Sequence, residues 1–172
     1  DGIERGFGER LTPELAVARV LRDVRKRGDV ALREWSQRIE DVTLDALRVP
    51  QEEIDVAVAG LAVEMRDALA LAVQRLEAFH RKQPIGSWMD VTPGGTLGQI
   101  MRPLQRVGVY VPAGSAPLPS SLLHAAIPAR VAGVAEIVVC TPPDRTTGRV
   151  APLTLAAAHA AGVHAVYCLG GA

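Results

Sequence analysis

Aromatic side chains are scarce in this chain: two Trp, two Tyr and two Phe among 172 residues, 3% of the total. Its core therefore has to be built from aliphatic side chains, and any aromatic at the end of an element stands out. Cysteine is scarcer still. Cys140 and Cys168 lie in apolar runs without CxxC spacing, a pattern that supports neither a disulfide framework nor a Cys-based zinc site and that fits a reducing compartment. An excess of one charge is also missing, since 19 basic residues face 19 acidic ones and no basic block could neutralise a run of phosphates. Nucleic-acid binding is excluded as a leading reading on that balance. No uninterrupted apolar span of about 20 residues exists to cross a membrane, because Arg130, Glu136, Asp144, Arg145 and Arg149 break up the apolar C-terminal third. The Gly-x-Gly-x-x-Gly fingerprint of dinucleotide sites is absent as well, so local pattern alone does not identify a nucleotide.

What is present is a folding chain. Hydrophobic residues make up 48% of it and charged residues 22%, far from a disordered composition. A chain of this mass loses roughly 69% of its extended surface on folding, from about 26,000 to about 8,000 Å², enough for a core without staples. One domain, or one with a small appendage, is expected. The start, Asp1-Gly2-Ile3-Glu4, has no initiator Met and no signal-peptide pattern, and Gly170-Gly171-Ala172 follows directly on a strand-like run. A piece of a longer protein is the expectation.

Periodicity organises the first half as helices. Thr12-Pro13-Glu14 supplies a hydroxyl cap, a Pro in the first turn and an acid at the positive helix end. Leu15, Ala18, Leu21 and Val24 then recur at helical spacing. Gly28-Asp29 is read as a stop followed by a cap for a second helix carrying Leu32, Trp35 and Ile39, giving a helical hairpin. After Pro50 come Ile54, Val58, Leu61, Met65, Leu69, Ala72, Leu76 and Phe79. That stripe predicts one long helix to about Lys82, roughly 48 Å at 1.5 Å per residue. Residues 1–83 are read as a helical N-terminal region.

From residue 84 the texture changes. Ser87 to Thr92 and Thr96 to Met101 flank Pro93-Gly94-Gly95, a turn that suits a β-hairpin. Val107 to Val111, Glu136 to Thr141 and His164 to Leu169 read as strands. Ser120 to Ala132 and Pro152 to Ala161 read as helices, with Pro128 expected to kink or shorten the first. Strand-helix-strand-helix-strand implies right-handed parallel crossovers. The fold class expected is therefore α/β: a helical region with one long helix, a β-hairpin, then an incomplete Rossmann-like βαβαβ parallel sheet over residues 84–172.

Ligands of such sheets bind beyond the strand carboxyl ends. Pro112 to Pro119, Thr141 to Arg149 and Gly170 to Ala172 occupy that position. The Pro-rich loop leads into Ser120 and Ser121 at a helix start, which suits either an anion site or an ordinary capped helix. Tyr110, just before the loop, is placed either to border a ligand or to pack at the sheet end. His80, His124, His159 and His164 show neither HExxH nor paired spacing, so they do not read as metal ligands. The cysteines read as small apolar residues, and Arg19, Arg22, Arg25, Lys26 and Arg27 as a solvated helix face.

The run Arg102-Pro103-Leu104-Gln105-Arg106-Val107-Gly108-Val109-Tyr110-Val111-Pro112-Ala113-Gly114-Ser115-Ala116 closely resembles the histidinol dehydrogenase family. The resemblance continues through Leu118-Pro119-Ser120-Ser121, Ile127-Pro128-Ala129, Ala132-Gly133, Thr141-Pro142-Pro143, Ala161-Gly162-Val163 and Gly170-Gly171-Ala172. Upstream, Arg27-Gly28-Asp29-Val30-Ala31-Leu32 is similar to an early stretch of that family. The resemblance implies NAD-dependent oxidation of L-histidinol to L-histidine through histidinaldehyde, by cytoplasmic, zinc-dependent homodimers with neither nucleic acid nor membrane as partner. It implies that Tyr110 contacts the cofactor and that the loop from Pro112 through Gly114 lines the dinucleotide site. The family's Glu-His catalytic pair and zinc ligands would follow Ala172, so no catalytic or metal residue is expected among these 172. Two departures are visible: Ala113-Gly114 where Gly-Gly is usual, which matters if the first position needs a positive φ, and Arg38-Ile39-Glu40-Asp41 where an aromatic-Asp-Gly turn is common. The second is expected to lie far from the chemistry. A related dehydrogenase of another small alcohol, such as a sulfonated diol, and a truncated non-catalytic binding module are the alternatives.

Overall fold

A computed structural model describes residues 2–84, 86–113, 116–144 and 146–170. Three helices open the chain: α1 (Gly2–Phe7), α2 (Pro13–Arg27) and α3 (Asp29–Glu40). Thr12 caps α2 as its sequence indicates, its hydroxyl accepting the Leu15 N–H at 3.4 Å. Gly28, at φ 60, turns the chain between α2 and α3, and Asp29 is the first residue of α3 rather than its cap. The buried face of α2 also lies one residue round from the expected one. Ala16 and Val20 are buried while Leu15 and Leu21 are 58% and 50% exposed, because this face meets the indole of Trp35 and not the main core. Phe7 packs on that indole, ring centroids 4.7 Å apart, and the Trp35 Nε1–H donates to Asp23 at 2.9 Å. Ile39, expected beside Trp35, is 36% exposed.

The expected long helix is two. α4 (Gln51–Ala59) and α5 (Val63–His80) are separated at Gly60, Leu61 and Ala62. Gly60 is the poorest helix former in the stretch short of Pro, and Ala62 takes an extended conformation that starts α5 anew. The break lets α4 pack on α7 while α5 packs chiefly on α6. Ile54, Ala57 and Leu69 are buried by this arrangement, whereas Met65 and Phe79 of the predicted stripe are 43% and 62% exposed.

β1 (Trp88–Thr92) and β2 (Gly95–Gln99) form the antiparallel hairpin, in register from Trp88 opposite Gln99 to Thr92 opposite Gly95. Every residue of both strands is exposed. A two-stranded ribbon is marginal alone in water. The chain as a whole exposes 11135 Å², well above the about 8,000 Å² of a compact monomer of this mass.

The main sheet has strand order β3 (Arg106–Tyr110), β4 (Glu136–Thr141), β5 (Ala165–Cys168), all parallel. Helices α6 (Pro119–Val131) and α7 (Pro152–Ala161) make the two crossovers and pack against each other, as sequential crossovers of one hand require. α6 is not ended by Pro128 and runs on to Val131. Burial alternates along the strands, so Val109, Ile137, Val139, Thr141, Val166 and Cys168 are inside while Tyr110, Val138, Cys140 and Tyr167 share the less covered face. The core around Leu122, Ile127, Ile137 and Leu155 is continuous with Ile54, Ala57 and Leu69 of the helical region.

One pairing was not expected. Residues 47–49 run antiparallel beside β5: the Val49 N–H donates to the Val166 carbonyl at 2.9 Å, and the Cys168 N–H donates to the Leu47 carbonyl at 2.7 Å. Val42, Leu44, Leu47 and Val49 are buried by it.

Candidate functional site

Because the strands are parallel and in register, Tyr110, Thr141 and Cys168 end on one edge. Each continues into a segment singled out from sequence. The Val111 N–H donates to the Cys140 carbonyl at 2.9 Å and the Leu169 N–H to the Thr141 carbonyl at 2.8 Å, so the ladder extends one residue beyond the strands. The backbone delivered to this edge is thus rigid up to Val111 and Leu169.

Tyr110 is the last residue of β3 and is 54% exposed. Burial of part of the ring, then the charge of Glu40 and the Cys140 thiol, hold its hydroxyl above the ordinary phenol range. A phenol in that state remains a protonated donor at neutral pH. Pro112, two residues on, is exposed. Gly114 lies outside the described residues.

The loop after β4 is tied by Asp144, whose carboxylate accepts the Thr146 and Thr147 N–H groups at 3.0 and 2.9 Å. Those backbone donors lower its pKa. Beside this loop a groove of about 340 Å³ lies between residues 43–50 and 147–150, with Arg48, Arg149 and Cys168 among its lining.

Neither cysteine is placed for nucleophilic work. Burial raises the Cys140 thiol, and burial together with the charges of Glu40 and Glu53 pushes Cys168 up to about 11. Both are therefore thiols at neutral pH, whereas the reactive form is the thiolate. His164 stands at the opposite, amino end of β5, its Nδ1 accepting the Ile137 N–H at 3.1 Å, and His80 Nδ1 pairs with Gln83 at 2.7 Å. Among the described residues no group of three or more His, Cys, Asp or Glu side chains could hold a metal ion.

Glu40 is the residue that pattern reading misplaced. It closes α3, with Asp41 behind it at φ 58, and its carboxylate lies against Gly170 so closely that a β-carbon there would fall on it. The Arg38 to Asp41 segment thus reaches the candidate site instead of lying far from it. The signal was partial: the near-alternation of Val42, Leu44, Leu47 and Val49 marks a strand-like segment but not the strand it joins.

The class these features define is an α/β protein with a parallel sheet whose candidate ligand edge is formed by the carboxyl ends of β3, β4 and β5. Comparison with known proteins narrows it. The family model for histidinol dehydrogenase matches residues 9–172. The histidinol dehydrogenase of Deinococcus radiodurans is 51% identical over 170 residues, covering 99% of this chain and 38% of that protein. That of Methanosarcina mazei is 47% identical over 157 residues, covering 90% and 36% respectively. The crystal structure of histidinol dehydrogenase from Elizabethkingia anophelis superposes with a TM-score of 0.85 at 32% identity, covering 98% of this chain and 39% of that one. This chain belongs to the histidinol dehydrogenase family, and it spans somewhat over a third of the length of the relatives it matches.

Proposed function

We propose that this chain forms the cofactor-side part of an NAD-dependent oxidoreductase that converts L-histidinol to L-histidine through histidinaldehyde in two hydride transfers. The observation that carries this reading is the family match over residues 9–172 combined with a half-exposed Tyr110 at the carboxyl edge of the parallel sheet. When bound, NAD accepts the hydride. In this reading Tyr110 offers a ring face and a protonated hydroxyl to the dinucleotide, and the loop from Pro112 through Gly114 lines the same site. β3 to β5 hold that edge fixed, which limits the freedom lost on binding. Zinc and the acid-base groups of the reaction belong to residues beyond these 172, and a homodimer working in the cytoplasm completes the proposal. No helix among the described residues is long and apolar enough to cross a membrane.

The test uses protein expressed from the complete gene. NADH formation from L-histidinol and NAD at alkaline pH is expected. An aromatic contact contributes about 0.5 to 1.5 kcal/mol beyond its area, so Tyr110→Ala should weaken NAD binding roughly 2- to 10-fold in calorimetry. Absence of turnover with L-histidinol would overturn the substrate, and an unchanged dissociation constant in a folded variant would remove Tyr110 from the site.

A further inference from the structure

Glu40 stands at the ligand edge without a role in the reading above. It is the last residue of α3, its backbone exit fixed by the left-handed Asp41. The carboxylate is held against the α-carbon of the buried Gly170, just beyond β5. Its charge reaches Tyr110, beyond which β3 runs out, and Cys168 at the end of β5. A carboxylate, its Oε2 buried, therefore lies beside the edge that a dinucleotide would cross.

Only one part of a dinucleotide suits such a neighbour. The pyrophosphate carries two negative charges and needs N–H donors or cations, as at a helix N-terminus. The bases and the nicotinamide ring offer flat faces that suit Tyr110. The ribose diol presents two adjacent O–H donors, which match the two acceptor oxygens of a carboxylate, and the same pairing recurs in unrelated dinucleotide sites on parallel sheets. A phosphate esterified at the 2′ position would replace a donor by about two negative charges facing Glu40, at a site partly shielded from water where repulsion is strong. Arg48 and Arg149 line the groove on the side of Cys168 formed by residues 43–50 and 147–150.

Resting on the dinucleotide reading of this edge, we propose that Glu40 is its specificity-determining carboxylate: it accepts from a ribose diol of the cofactor and excludes a cofactor bearing a 2′-phosphate there. Glu40→Gln keeps the shape that packs on Gly170 and removes the charge. Gly170→Ala does the reverse, keeping the charge and displacing the carboxylate.

Titrate the full chain with NAD, NADP and 2′-deoxy-NAD, modified on the adenosine ribose, following amide chemical shifts, which reads dissociation constants into the millimolar range. Wild type is expected to prefer NAD over NADP by at least tenfold and over 2′-deoxy-NAD by about fivefold or more. Glu40→Gln should shrink the NAD/NADP ratio at least tenfold and abolish the preference for the 2′-hydroxyl, and Gly170→Ala should reduce both preferences. A merely structural Glu40 would weaken all three ligands alike, and that result overturns the proposal, as does a folded Glu40→Gln with wild-type discrimination. The 2′-deoxy comparison needs no variant, so equal affinity of wild type for NAD and 2′-deoxy-NAD refutes the assignment even if both substitutions prevent folding. Binding of NAD that depends on Tyr110 but not on Glu40 sinks this assignment and leaves the dinucleotide reading standing. Binding of neither dinucleotide sinks both.

Discussion

Arg130 ties three helices together, and its removal gives a quantitative test of how the sheet's cover is held. It lies near the end of α6, its Nη1 donates to the Ala161 carbonyl at the end of α7 at 2.9 Å, and its Nη2 donates to Glu77 of α5 at 3.2 Å. The last carbonyls of a helix have no partner within the helix, and α7 stops at Gly162 in the left-handed region, φ 71. Arg130→Met keeps the aliphatic stem and removes both bonds. A hydrogen bond from a charged donor contributes about 1.5 to 3 kcal/mol. With the Arg130 side chain 33% exposed, the low end applies to the Ala161 bond, about 1.5 kcal/mol. For a chain of this length that lowers Tm by about 3 to 6 °C. Glu77→Gln leaves the bond from Arg130 to the Ala161 carbonyl in place, so it should cost less than Arg130→Met. Urea denaturation followed by far-UV circular dichroism measures both. An Arg130→Met variant within about 0.5 kcal/mol of wild type would show that water replaces the guanidinium at Ala161 without loss, and the clamp would be dismissed.

Asp23 accepts from Arg27 and Trp35, and its carboxyl falls from 3.8 to about 2, chiefly through the Arg27 bond. A depressed acid stabilises above its unfolded pKa and loses that contribution as pH falls through the folded one. Stability should thus decline between about pH 4 and 2, and Asp23→Asn should flatten that limb of an acid titration; an unchanged slope refutes the assignment. The Ser36 hydroxyl is fully buried and finds no hydrogen-bond partner among the described residues, so Ser36→Ala should raise stability by about 1 kcal/mol in urea titration, and a loss would reveal a partner. Leu69→Asp buries an unpaired charge and should cost about 3 kcal/mol or more, whereas Met65→Asp at a half-exposed position should stay within about 1 kcal/mol. Equal costs would mean the helix register is wrong.

The sheet half was legible because its signals are local. Apolar β-branched runs of four to six residues alternate with helix-length segments, and that fixes βαβαβ and its hand before any coordinate is known. Strand ends fell within a residue or two of those expected. The long helix failed because a stripe at helical spacing continues in phase across Gly60, and spacing alone does not register the weak propensity there. The exposed positions on α2 and α5 failed for another reason: which apolar face is buried depends on where Trp35, α6 and α7 stand, and no local pattern carries that information. Glu40 was missed at the site because its approach is set by residues 42–49 joining β5, a contact more than 100 residues distant in sequence. Tyr110 and Pro112 were singled out by position, as the end of a strand and the start of a Pro-rich loop, and the resemblance to the family supplied the cofactor role proposed for them.

The central claim is that a dinucleotide binds at the carboxyl edge of β3, β4 and β5. The most direct measurement is an amide chemical-shift titration of the full chain with NAD, with backbone resonances assigned. The account predicts saturable shifts centred on Glu40, Tyr110 and Val111, Cys140 and Thr141, and Leu169 and Gly170, with Arg106, Glu136 and His164 at the opposite edge unmoved. Saturable shifts centred on that opposite edge or on the β1–β2 hairpin, with the carboxyl edge silent, would contradict it.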